Sequence, residues 1–125
     1  MDTAVLQIKI ENLLSSVHRL LPVGSDMSDV YSDDFSELNH TIYHQINELY
    51  PRRGITLEQD AVLCLALLLG YSVSMYASLE DESKKHNILV RSRSILQTLS
   101  ASPLKERLLT VCQELTGSFK TIDNF

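Results

Sequence analysis

Proline and glycine are scarce, three and four among 125 residues, and no tract of low complexity or internal self-similarity breaks the chain. This excludes collagen-like, linker-rich and repeat architectures and predicts a single domain over residues 1–125. Cysteine is scarcer. Cys64 and Cys112 match no zinc-ligand spacing, and each falls within an apolar pattern, so both read as small buried hydrophobes rather than as a disulfide or reactive thiols. Bases are outnumbered, 11 Lys and Arg against 16 Asp and Glu, for a net charge of −5. A chain of that sign is poorly suited to phosphate backbones, which need clustered cations, and better suited to protein partners. The start, Met1-Asp2-Thr3, lacks the basic and apolar blocks of a secretory signal, which predicts a cytoplasmic protein. Strand-like alternation is absent, and the longest apolar run, the nine residues Ala61 to Leu69, spans roughly 13 Å as a helix, too short to cross a bilayer.

That run is the dominant feature. A helix apolar on every side must lie inside a protein, so Thr56 to Tyr76 predicts a buried central helix. Thr56 and Gln59 have the spacing of a capping box, with Gly54 freeing the turn before it, which places the first helical residue at Leu57. Ala66, Gly70 and Ser74 recur every four residues as a strip of small side chains. Glycine in mid-helix costs about 1 kcal/mol against alanine, so close approach of a neighbouring helix is the expected reason for Gly70.

Four amphipathic helices are predicted around it. Leu6, Ile10, Leu13, Leu14, Val17, Leu20 and Leu21 share one side of a first helix from Thr3 to Leu21, stopped by Pro22, with Val5 and Ile8 outside the stripe as a hint of a contact. A second runs from about Asp34 to Leu49, with Phe35, Leu38, Ile42, Ile46 and Leu49 inward and Asn39, Tyr43 and Tyr50 along one border. A fourth runs from about Leu79 to Leu99, capped by Ser78 with Asp81. It buries Ile88, Leu89, Ser92, Ile95, Leu96 and Leu99, while Lys84, Lys85, Arg91 and Arg93 spread around its polar side. Ser102 and Pro103 open a fifth, with Leu104, Leu108, Val111, Cys112 and Leu115 inward and Gly117 as its stop; residues 118–125 form a short tail. The expected fold is all-α, a single five-helix domain with a buried third helix.

Chemistry is thin. There is no phosphate-cradling glycine loop, no nucleophile elbow, and no serine with an identified base. His40 and His44, four apart beside Glu37 and Glu48, could share a metal in a sensor or enzyme, but the alternative is a solvated helix face. The acids Asp26, Asp29, Asp33, Asp34 and Glu37 form a stretch without a base. They read either as a solvated loop feeding the positive end of the second helix or as an acidic docking surface. Asp29, Tyr31, Asp33 and Asp34, with the border tyrosines Tyr43 and Tyr50, are the candidate partner-binding residues. Tyrosine packs its ring and wets its hydroxyl at low entropic cost. Direct nucleic-acid binding is the competing reading.

Particular residues carry a resemblance. Tyr31-Ser32-Asp33 with Phe35, then Leu38-Asn39, Tyr43 and Glu48-Leu49-Tyr50, then Leu63 through Tyr71 with Tyr76, look like the UpxZ family. Leu13 to Leu21, Ser102 to Leu104, and Leu108-Leu109 with Cys112 are similar to its first and last helices, so the likeness covers roughly residues 13 to 115. It departs in the tail, which ends in Phe125 where the family pattern has a longer acidic helix. The resemblance implies a transcription regulator encoded in a capsular polysaccharide locus. Such a protein antagonises NusG-like antitermination factors of other capsule loci by protein binding. No cofactor, metal, membrane or direct nucleic-acid contact is implied.

Overall fold

The computed structural model describes the backbone of residues 2–25, 33–73 and 79–115 and, within these, the side chains except those of 20–25, 33–35 and 73. Five helices follow in order: α1 (Thr3–Ser25), α2 (Asp33–Leu49), α3 (Leu57–Val73), α4 (Leu79–Thr98) and α5 (Pro103–Leu115). The described residues contain no strand.

The helix starts follow from local chemistry. Asp2 caps α1, its carboxylate accepting from the Val5 amide at 2.9 Å. Ser102 caps α5 through the Lys105 amide at 3.2 Å, with Pro103 where its missing donor loses nothing. At α3, Thr56 Oγ1 accepts from the Gln59 amide at 3.1 Å. The return bond differs from expectation: Gln59 Oε1 accepts from the amide of Ile55, one residue before the cap, at 2.9 Å. Gly54 also has another reason than turn freedom. Its amide donates to Asp60 Oδ1 at 2.7 Å, an approach so close that a Cβ on Gly54 would run into the backbone of Gln59 and Asp60. Ser78, expected to cap α4, lies outside the described residues.

One boundary departs from the sequence reading. Pro22 does not stop α1, which continues to Ser25. Proline removes one backbone donor and crowds the preceding turn, but in the last turn of a 23-residue helix the loss is confined to the end.

α3 is the axis. It packs against each of the other four, with α1 and α2 on one side and α4 and α5 on the other. Gln59 reaches back to the Thr3 carbonyl at 3.3 Å, so the starts of α1 and α3 lie side by side. Lys9 on α1 bonds Glu48 near the end of α2 at 2.9 Å. Ala61, Leu63, Cys64, Leu65, Ala66, Leu67 and Leu68 are all at most 3 % exposed. At roughly 1.5–3 kcal/mol for each fully buried large aliphatic side chain, this one segment carries much of the hydrophobic stabilisation. Val62 and Leu69, seven apart and so on one stripe, are only half-buried and mark the side of α3 its neighbours cover least.

The inward faces match the periodicity. Leu6, Ile10, Leu13 and Val17 on α1, Leu38, Ile42, Ile46 and Leu49 on α2, Ile88, Leu89, Ser92, Ile95 and the flanking Leu99 on and after α4, and Leu108, Val111 and Cys112 on α5 are buried. Leu14, Leu96, Leu104 and Leu115 pack at the edge of this core. Val5, Ile8 and Val90 are exposed, as their wheel positions require.

Cys64 and Cys112 are buried thiols, neither of them in a disulfide. Burial pushes Cys64 from an ordinary 9.0 up to about 11 against the opposing charge of Arg91, and Cys112 is raised for the same reason. A thiol that high is a poor nucleophile at neutral pH. The folded state holds the Cys64 proton more tightly than the unfolded state, so its contribution is intact below pH 9 and lost as pH rises towards 11. Urea denaturation is expected to show stability falling by about 2 kcal/mol over that window from this group, and Cys64→Ala should flatten the slope.

Candidate functional site

The candidate partner-binding residues that the structure describes lie along α2 and directly after it. Asp29 and Tyr31 lie outside the described residues. Asp33 and Asp34 are the first two residues of α2. Tyr43 is half-buried on the flank of that helix, and Tyr50 follows its last residue. From Asp33 to Tyr50 the helical rise separates the two ends by about 25 Å, so the acidic turn and Tyr50 belong to opposite ends of the domain and do not form one compact site.

Tyr50 also has structural duties. Its hydroxyl accepts from Asn87 Nδ2 on α4 at 3.0 Å, and the Lys84 ammonium stands 5.4 Å from its ring centroid. It therefore ties the end of α2 to α4. Tyr71 lies near by on α3, its hydroxyl buried without a hydrogen-bond partner among the described residues and its proton held more tightly than usual by burial, with Tyr50 and Asp81 adding to the effect.

His40 and His44 are exposed on α2, their rings edge to face with centroids 5.3 Å apart. Glu48, expected on that same face, is turned to Lys9 of α1 in an ion pair. Among the described residues no group of three or more His, Cys, Asp and Glu side chains is gathered as a metal would need. Replacing both histidines with glutamine is expected to shift the melting temperature by no more than about 3 °C, as for most surface changes. Zinc that copurifies with the parent and is absent from the double variant would overturn that expectation.

The sequence reading misplaced one cation. Arg91 does not lie on the polar side of α4 but is an inward-facing residue, its side chain 10 % exposed, paired through Nε and Nη2 with Asp60 of α3, itself 15 % exposed. Asp60 thus joins three elements: its own helix, the Gly54 turn and α4. The wheel could not show this, because Asp60 in the first turn of a helix and Arg91 on a basic helix each have an adequate local explanation. Lys84 and Lys85 do pair locally, with Glu80 at 3.1 Å and Glu82 at 3.3 Å.

Beside this pair lies a cleft of about 190 Å³ lined by Tyr50, Pro51, Arg53, Asn87, Ile88 and Arg91. A second of similar size, lined by Lys9, Asn12, Gln45, Glu48 and Leu49, follows the seam of α1 and α2. No helix among the described residues is long and apolar enough to cross a membrane.

The described residues thus form an all-helical fold with shallow polar clefts and buried thiols. The chain belongs to the UpxZ family of transcription anti-terminator antagonists, whose sequence model matches residues 10–114. Among solved structures it is similar to the transcription anti-terminator antagonist UpxZ from Bacteroides uniformis, with 33 % identity and a TM-score of 0.79, over 92 % of this chain and 71 % of that one. No curated protein sequence matches it.

Proposed function

We propose that this protein binds a NusG-like antitermination factor of another capsular polysaccharide locus and keeps it from productive use by RNA polymerase. It acts in the cytoplasm, by occupancy rather than by chemistry. Membership of a family of anti-terminator antagonists over residues 10–114 is the observation that carries this reading. The physical character of the chain supports it: a net charge of −5 favours a partner with basic surface.

The surface proposed for that contact is the acidic stretch Asp26 to Glu37 with Tyr31 as its anchor, at the mouth of α2. Carboxylates there would steer a basic patch by long-range attraction, and the tyrosine would supply a contact of low entropic cost. Binding of the purified chain to purified NusG-like factors is the test. With Asp29, Asp33 and Asp34 changed to Asn, association should slow and lose salt dependence, whereas Tyr31→Ala should mainly speed dissociation. The fold should survive, less about 1 kcal/mol for a weakened start of α2. Variants that bind like the parent would move the contact elsewhere, to the border tyrosines Tyr43 and Tyr50 or the exposed Ile8. A parent that binds no such factor but retains DNA at moderate salt would replace this function with direct nucleic-acid binding.

A further inference from the structure

The cleft between the turn after α2 and the side of α4 is lined by the hydrogen-bond donors of Arg53, Asn87 and Tyr50, with no carboxylate among its lining residues. Arg91 gives Nε and Nη2 to Asp60, so its charge is balanced. Arg53 is exposed at the cleft and forms no ion pair among the described residues, and Arg52 beside it is exposed as well. Tyr50 accepts from Asn87, which among the described residues leaves the Tyr50 proton to be donated, and Asn87 keeps a second amide hydrogen. What complements such a lining is a small, anionic, acceptor-only group. On a chain of net charge −5, the Arg53 guanidinium, unpaired among the described residues, makes the sign of this cleft the reverse of the chain's.

We propose that this cleft is a docking point for the partner, receiving one Asp or Glu side chain whose carboxylate is held by Arg53 and by the donors of Tyr50 and Asn87. The proposal rests on the functional reading above and adds a second contact, at the end of α2 remote from the acidic stretch. A protein carboxylate fits better than a nucleic-acid strand. The cleft has room for about one side chain, and a strand is bound along a groove of successive cations and stacking aromatics, against which the net charge of this chain works. A guanidinium also matches a carboxylate geometrically, as a fork with two donors.

Two measurements on the full chain test it. In the first, isotope-labelled protein is titrated with a capped oligoglutamate peptide and, separately, with oligothymidylate, following the Arg53 and Asn87 side-chain N–H signals by NMR. Oligoglutamate should shift both in the parent, and in Arg53→Ala the Asn87 signal should not respond; signals that stay still in the parent, or that move only with oligothymidylate, overturn the proposal. In the second, Arg53→Glu should weaken binding to the NusG-like factor about ten-fold, with recovery when one acid of the factor is changed to Arg. Arg53 is exposed, so its variants should melt with the parent. A factor that binds Arg53→Glu as well as the parent overturns the cleft and leaves the function standing. A factor that binds no version of the chain overturns the function, and the oligoglutamate titration then decides the carboxylate site by itself.

Discussion

Gly70→Leu is expected to destabilise the protein by about 3 kcal/mol, at the upper end of what overpacking a core does. Gly70 is buried in α3, and a Cβ there would stand 2.8 and 2.9 Å from the Ile46 Cδ1 and Cγ1 atoms of α2, with Leu13 Cδ1 of α1 at 3.5 Å. The space a side chain would need is thus taken by the branch of one isoleucine. Gly70→Ala sets two effects against each other: helix propensity favours it by about 1 kcal/mol, while the Ile46 contact opposes it. Combining Gly70→Ala with Ile46→Val, which removes Cδ1 but keeps Cγ1, should cost less than the sum of the two single changes, because one of the two close contacts is gone. Urea denaturation of the three variants checks this. An unchanged or higher midpoint for Gly70→Leu would mean that the three helices do not meet closely at this point.

Breaking the pair of Asp60 and Arg91 should be costlier still. Asp60→Ala strands a guanidinium that is 10 % exposed and removes the acceptor of the Gly54 amide, so a loss of about 3–5 kcal/mol is expected. Arg91→Met should cost less, because Asp60 keeps the Gly54 amide and a position in the first turn of α3, where the helix dipole favours an anion. The double variant should be more stable than the sum of the single losses by about 0.5–3 kcal/mol, the range for residues in direct contact. Simple additivity, or a loss below about 1 kcal/mol for Asp60→Ala, would show that the two groups are solvated independently. Since Arg91 also lines the cleft beside Arg53, stability and partner binding should be measured separately in these variants.

Much of the architecture was readable because it rests on local regularities. A cap such as Ser102-Pro103 acts within a single turn, and the apolar spacing of Leu38, Ile42, Ile46 and Leu49 is set by the pitch of one helix, so neither needs knowledge of a neighbour. The unbroken run Ala61 to Leu69 likewise implied a surrounded helix, since only burial makes such a run tolerable, and the Gly70 contact followed from the cost of glycine in that setting. The resemblance at Leu63 to Tyr71 and around Tyr31 and Tyr50 led to the family that the sequence model then matched.

What periodicity leaves open is how one helix meets another. Whether Arg91 faces water depends on where Asp60 of α3 stands when α4 packs beside it, and that is a matter of interaxial rotation, not of the wheel of α4. The same holds for Glu48, drawn to Lys9 of α1, and for Tyr50, drawn to Asn87 of α4. Gly54 illustrates the point within a few residues: glycine in a turn suggests conformational freedom, but here the requirement is room for the backbone of Asp60, which exists only once α3 has folded back on the turn. The cleft lined by Arg53 and Asn87 has no sequence signature for the same reason. Residues 34 positions apart come to share one set of donors only when the turn after α2 is brought beside α4.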